Sequence, residues 1–218
     1  GCPIILKPAS STPLSTLELA KIIDRTDLPK GAVSVMPMTR TEGNQLVTDE
    51  RFKLLSFTGS PVVGWEMKKN AGKKKVVLEL GGNAGVVVTK NCDLDLAVKR
   101  SLVGGFAYSG QICIHAQRFF VQDEIFETFS KKFIEATKNL KRGAPEDMST
   151  DISNMIDEEN AKRVESWVND VVKQGAKILC GGKRNDSFYE PTILTDTNNK
   201  MKVSSEEVFG PVVTLEKF

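Results

Sequence analysis

The chain has 218 residues, and its 30 lysines and arginines against 28 aspartates and glutamates leave a net charge of +2. That near-balance argues against a dedicated nucleic-acid surface, and the one compact basic run, Lys73-Lys74-Lys75, reads as a solvated turn. No apolar run reaches the ~20 residues that a membrane helix needs, and a hydrophobic fraction of 40% is enough for one large core or two modest ones.

In chain order, residues 3–6 (PIIL) predict a short strand that runs into Lys7-Pro8-Ala9-Ser10. A helix then begins in SSTPLSTLELAKII. Thr12 is the expected cap, Pro13 suits the first helical position, and Leu14, Leu17, Ile22 and Ile23 form an inward stripe. The turn Leu28–Gly31 ends it and Ala32–Met36 reads as the next strand. This β–α–β rhythm implies a parallel sheet with helices on its faces. Residues 42–53 read as a short helix and Leu54–Phe57 as a strand. That strand ends in Thr58-Gly59-Ser60-Pro61, where Ser60 can cap a new helix and Pro61 can open it. A helix N-terminus at the carboxyl end of a parallel strand suits a phosphate group, and an ordinary strand-to-helix turn has the same sequence.

Strand Val76–Leu80 delivers Glu79 to Gly81-Gly82, and a second strand, Gly85–Thr89, follows at once. The glycine pair marks a domain boundary, dividing the chain into residues 1–82 and 83–218. A helix opened by Asp93 or Asp95 runs through Ala97, Leu102 and Phe106 into the loop around Cys113, and Arg118–Val121 is a strand. The helix Glu124–Lys141 repeats Phe126, Phe129, Phe133, Ala136 and Leu140 at core spacing. The helix Asp157–Gln174 does the same with Val164, Trp167, Val168 and Val171. Strands at Ala176–Cys180 and Thr192–Leu194, then a polar turn into a final strand, complete an α/β chain. No GxGxxG, Walker or GxSxG signature occurs, and there is no internal repeat.

Two residues stand out chemically. Cys113, in SGQICIH, is either a packed core thiol or a nucleophile. Glu79 interrupts an apolar strand, where a partly buried carboxylate costs free energy unless it is paired, and such residues are more often kept for chemistry than for packing. A thiol nucleophile acts as the thiolate and needs a base or a positive local potential. The lone histidine, His115, is two positions from Cys113, so the two side chains point apart and a Cys–His pair is not expected. A helix N-terminus or a bound cationic cofactor can serve instead, leaving Glu79 to activate water against a thioester. The four cysteines (Cys2, Cys92, Cys113, Cys180) form no CxxC pair, a metal site is not expected, and a reducing cytoplasm is inferred.

Five segments together resemble the NAD(P)-dependent aldehyde dehydrogenase superfamily: LKPAS, FTGSPVVG, LELGG, GQIC and EEVFGPV, in the family's order and spread over nearly all of the chain. The resemblance implies parallel-sheet three-layer domains. The cofactor-domain part is 1–82 and the catalytic-domain part 83–218. It implies Cys113 as the nucleophile toward a small-molecule aldehyde and Glu79 as the base for the hydrolytic water. It also implies NAD or NADP contacts at Lys7, Ser10, Gly43, Gly59, Ser60, Glu207 and Phe209. Ser10 stands where NAD-preferring members carry glutamate, so NADP is expected to be accepted. A homodimer or homotetramer is implied for the full-length protein, with no nucleic-acid or membrane partner. Family chains extend past both ends of this one, which is therefore read as an internal fragment, inactive alone. The segment DISNMI and Gly85 depart from the family pattern without touching the chemistry. Two other readings remain open: a catalytically silent scaffold, and a thiol hydrolase without cofactor.

Overall fold

Short apolar runs between turn residues become strands along the whole chain, and helices alternate with them. The structure, a computed structural model, describes residues 1–218 and falls into two units, Gly1–Leu80 and Gly81–Phe218.

In the first unit, β1 (Ile4–Leu6) pairs in parallel with β2 (Val33–Val35), with Ile4 opposite Val33 and α1 (Leu14–Asp24) connecting them. After α2 (Arg40–Thr48), β3 (Leu54–Thr58) and β4 (Lys75–Glu79) form a second parallel pair across α3 (Pro61–Asn70). The strands are parallel as predicted, but they make two separate two-stranded pairs in place of one sheet. The narrow β1–β2 pair leaves much of α1 uncovered. Leu17 and Ile23 are half-buried, whereas Leu14 and Ile22, assigned to the inward stripe from the sequence, are 75% and 60% exposed. Thr12 does not cap this helix. Its N–H closes the preceding turn onto the Ala9 carbonyl at 3.3 Å, and Pro13 occupies the cap position with no side-chain bond. The next helix starts at Arg40, ahead of the expected residue 42, because Thr39 and Glu42 form a capping box. Thr39 Oγ1 accepts from the Glu42 N–H at 3.2 Å, and Glu42 Oε2 accepts from the Thr39 N–H at 2.9 Å.

The second unit runs β5 (Ala84–Val88), α4 (Leu94–Phe106), β6 (Ala116–Val121), α5 (Asp123–Lys138), α6 (Glu158–Lys173) and β7 (Lys177–Cys180). A small hairpin, β8 (Arg184–Asn185) and β9 (Phe188–Tyr189), precedes β10 (Thr192–Thr195), α7 (Lys202–Ser205) and β11 (Val212–Lys217). The sheet order is β5-β6-β11-β10-β7. Side chains alternate across it, so Ile193, Val213 and Leu215 face one layer with α4 and α5, and Leu194 and Val212 face another with α6 and α7. This is the expected three-layer α/β arrangement. Phe119, Phe129 and Phe133 are fully buried, with the Phe119 and Phe133 ring centroids 5.3 Å apart. Asp93 and Asp157 cap α4 and α6, each accepting from the N–H three residues on.

One edge strand corrects the all-parallel expectation: β7 is antiparallel to β10. A parallel neighbour needs a long crossover, usually a helix, and here only the short β8–β9 hairpin separates the two strands. Cys180 on β7 is buried, as expected of a packed core thiol, and burial pushes its pKa up. No helix is long and apolar enough to cross a membrane.

Candidate active site

The residues singled out from the sequence fall into two groups, one in each unit. In the first unit, Lys7 leaves β1 with its ammonium donating to the Pro8 carbonyl at 3.0 Å and standing 3.5 Å from Ser10 Oγ. Gly43, on α2, lies against the lysine stem: a Cβ there would come within 3.1 Å of Lys7 Cδ. Lys7, Ser10 and Gly43 are therefore brought together, Ser10 exposed and Gly43 buried. The Pro8–Ser10 and Pro37–Thr39 segments line one shallow cavity beside them.

Gly59, Ser60 and Glu79 form a second cluster in that unit. Thr58 faces Glu79 across the β3–β4 pair, and the Gly59 N–H donates to the Glu79 carbonyl at 3.0 Å. Position 59 has no room for a side chain because the Phe57 ring occupies the space a Cβ would take. Ser60 sits at the cap position of α3, but its hydroxyl makes no cap bond. The first turn carries no acidic residue, and Lys68 and Lys69 lie in the last turn. Glu79 itself is exposed: Lys75, Val77 and Glu79 share the open face of β4, while Val76 and Leu78 point inward. The expectation of a partly buried carboxylate is thus corrected, since the alternation of a two-stranded pair puts residue 79 outward with the lysine.

In the second unit, α4 ends at Phe106 and the chain turns through Tyr108, Ser109 and Gly110, with φ of 53°, 56° and 68°. Two consecutive non-glycine residues in the left-handed region are strained and must be held by their surroundings. Ser109 Oγ donates to the Ser153 carbonyl at 2.7 Å, and Gln111 Oε1 accepts from the Ile156 N–H at 3.0 Å. Gly110 packs directly on the Gly210 carbonyl, leaving no space for a Cβ. The turn closes with the His115 N–H on the Ile112 carbonyl at 3.0 Å, and presents Cys113 exposed at its tip beside Ile114, which is 76% exposed.

The same glycine pair that marks the boundary in the sequence receives this loop. A Cβ on Gly82 would lie 2.7 Å from the Cys113 carbonyl oxygen, and the Gly82 N–H donates to Glu207 Oε1 at 2.9 Å. The Glu207 carboxylate fills the space over Gly81. Cys113 and Glu207, remote in sequence, thus meet on one backbone segment. Phe209 follows with φ of 47°, and its carbonyl accepts from the Arg163 guanidinium at 3.4 Å. Arg163 was not found from the sequence, although its position four residues before Trp167 on α6 is a readable signal; its guanidinium lies 5.3 Å over that ring. Burial pulls Arg163 below the ordinary guanidinium value, and the charges of Glu207 and Asp157 oppose that shift.

His115 serves the loop and not the thiol. The ring is 1% exposed, with Nε2 2.8 Å from the Gly105 carbonyl and Nδ1 without a partner. A carbonyl only accepts, so the neutral ring carries its proton on Nε2. Burial lowers the His115 pKa from 6.5. The unfolded chain therefore binds this proton at higher pH than the folded one, and the folded state loses stability as pH falls below about 6.5. His115→Gln, which can still donate to Gly105, is expected to flatten the decline of Tm between about pH 7 and 5. A decline in the variant as steep as in the parent protein would refute this.

Comparison with known proteins bears on the whole chain. The model of the aldehyde dehydrogenase family matches residues 1–218. A 3-sulfolactaldehyde dehydrogenase from Priestia aryabhattai is 42% identical over 219 residues, covering 100% of this chain and 46% of that protein. The NADP-dependent succinate-semialdehyde dehydrogenase of Escherichia coli K12 is 40% identical over 224 residues with the same coverage. Among solved structures, aldehyde dehydrogenase 21 of Physcomitrella patens, in complex with the reaction product succinate, superposes with a TM-score of 0.97 at 46% identity, again over 100% of this chain and 46% of that one. Betaine aldehyde dehydrogenase of Staphylococcus aureus in complex with NAD+ gives a TM-score of 0.96 at 33% identity, covering 100% of this chain and 45% of that one. The chain thus spans a little under half the length of these relatives.

Proposed function

This chain belongs to the aldehyde dehydrogenase family, and on that premise we propose that the protein oxidises an aldehyde to a carboxylic acid with NAD(P)+. The observation that carries the reading is the exposed Cys113 at the tip of a strained, braced turn, backed by Gly82 and Glu207. Cys113 adds to the aldehyde carbonyl as a thiohemiacetal, and its backbone N–H donates to the developing oxyanion. The nicotinamide dinucleotide, when bound, supplies the hydride acceptor that turns this adduct into a thioester. Glu79 takes the proton from the water that releases the acid from Cys113.

The residues present fit such a cofactor. Lys7 and Ser10 offer an ammonium and a hydroxyl 3.5 Å apart for the adenosine ribose, and Gly43 leaves the lysine room to lie flat. Gly59 and Ser60 open α3, whose first turn has no side-chain cap and no carboxylate, toward the pyrophosphate. Glu207 and Phe209 serve the nicotinamide end. On this reading, residues 1–82 act as cofactor-domain and 83–218 as catalytic-domain segments, and the full-length protein is a homodimer or homotetramer. The free thiols support a reducing, cytoplasmic setting.

Ser10 decides the nucleotide. A hydroxyl beside the Lys7 ammonium admits a 2′-phosphate that a glutamate would repel. Full-length protein assayed with a panel of aldehydes is therefore expected to reduce both nucleotides. Ser10→Glu is expected to lower kcat/KM for NADP by about 30-fold or more while leaving NAD within about threefold. NADP turnover below a thousandth of NAD turnover in the parent protein would sink the assignment, and no nucleotide reduction with any aldehyde would sink the function.

A further inference from the structure

Gln117 is an uncharged side chain that is 0% exposed, and every polar atom of its amide is used. It stands near the start of β6, four residues after Cys113, on the face that also buries Phe119 and Val121. Nε2 donates to the Val203 carbonyl at 2.8 Å and to the Glu206 carbonyl at 2.8 Å, and Oε1 accepts from the Val208 N–H at 2.8 Å. The amide orientation is unambiguous, because a flipped group would set its oxygen against two carbonyls. These contacts have a particular geometry around Glu207. The Glu206 carbonyl belongs to the peptide before its Cα, and the Val208 N–H to the peptide after it. One amide therefore fixes both peptide planes that set the direction of the Glu207 side chain. Asn83 reinforces the first of them, with Nδ2 3.3 Å from the same Glu206 carbonyl and 2.9 Å from that of Ser204.

We infer that Gln117 is a positioning residue: it locks the backbone on either side of Glu207 and so aims that carboxylate at the Gly82 N–H and the dinucleotide edge of the site. The inference rests on the proposed role of Glu207 toward the nicotinamide ribose. It couples the strand that carries the nucleophile loop to the turn that carries the cofactor contact, which lie 91 residues apart at the Gln117–Val208 bond. An apolar residue at 117 would leave the Val208 N–H and the Val203 carbonyl without these partners and the Glu206 carbonyl with Asn83 alone, and the Val203–Val208 segment would relax to pair them elsewhere.

The test is equilibrium binding of reduced dinucleotide to the full-length protein, read by its fluorescence, with iodoacetamide labelling of Cys113 in the nucleotide-free protein as the second readout. Gln117→Met is expected to weaken nucleotide binding by about tenfold while Cys113 labels within about twofold of the parent rate. Glu207→Gln is expected to weaken binding to a similar extent, and the double variant to add less than about twofold, because both changes remove the same contact. If Gln117→Met does not fold, Gln117→Asn, which keeps an amide's donors and acceptor but withdraws them by one methylene, is used in its place, and about a threefold weakening is expected. Unchanged affinity in the Gln117 variant beside a weakened Glu207→Gln overturns the positioning role, as does full additivity. Unchanged affinity in Glu207→Gln overturns the ribose contact itself, and the inference with it.

Discussion

Cys113→Ala in the full-length protein is expected to lower kcat by at least about 10⁴-fold, since on the proposed mechanism it removes the covalent nucleophile and with it the route through the acyl-enzyme. Within the second unit no other thiol is accessible to replace it: Cys180 is buried with its pKa pushed up, and Cys92 is half-buried ahead of α4. The fold should tolerate the change, because the turn is held by Ser109, Gln111 and the His115–Ile112 bond and not by the sulfur. Steady-state kinetics with the best aldehyde gives the first measurement. Mass-spectrometric mapping of iodoacetamide adducts gives the second, with Cys113 expected to label ahead of the other three. A variant keeping more than about a hundredth of the parent kcat would leave the covalent mechanism without its central atom. Equal labelling of all exposed thiols together with no turnover in the parent would favour a silent scaffold.

Glu79→Gln is expected to separate the two halves of the reaction. Steady-state turnover should fall by about 10² to 10⁴-fold, the range that loss of a positioned general base produces. A rapid burst of reduced nucleotide should remain, approaching one equivalent per active site, because on the proposed mechanism thioester formation does not use this carboxylate. The structure makes the substitution a clean one. Glu79 holds β3 through its backbone carbonyl, which accepts from the Gly59 N–H at 3.0 Å, so the side chain can change without disturbing the strand pair. Its exposed position on β4 also means that no buried charge is relieved by the change. Stopped-flow absorbance of the reduced nucleotide reads both phases at once. Unaltered turnover would remove Glu79 from the mechanism, and loss of the burst together with turnover would place its action before hydride transfer.

Much of the architecture was readable from local pattern. The phenylalanine spacing of α5 and the valine spacing of α6 put Phe129, Phe133, Val164 and Val168 in the core, because a 3.6-residue period must bury one face whatever lies opposite. Asp93 and Asp157 were available as caps for the same local reason. The Thr39–Glu42 capping box was also present in the sequence as Thr-x-x-Glu, and attention to it places the start of α2 correctly. The five short motifs carried the family, since their order along the chain is itself local information.

The sequence alone therefore determined the strand-and-helix rhythm, the core faces of the long helices and the family. Tertiary structure decided everything that depends on which remote segments become neighbours. It turned β7 antiparallel, left α1 largely uncovered and put Glu79 on an open face. It also joined Gly82 to Glu207 across 125 residues and fastened Gln117 around that same glutamate. The physical reason is that periodicity and capping act within a few residues, where the chain's own geometry sets the contact. A hydrogen bond between distant segments exists only once strand order has placed its donor and acceptor within about 3 Å of each other.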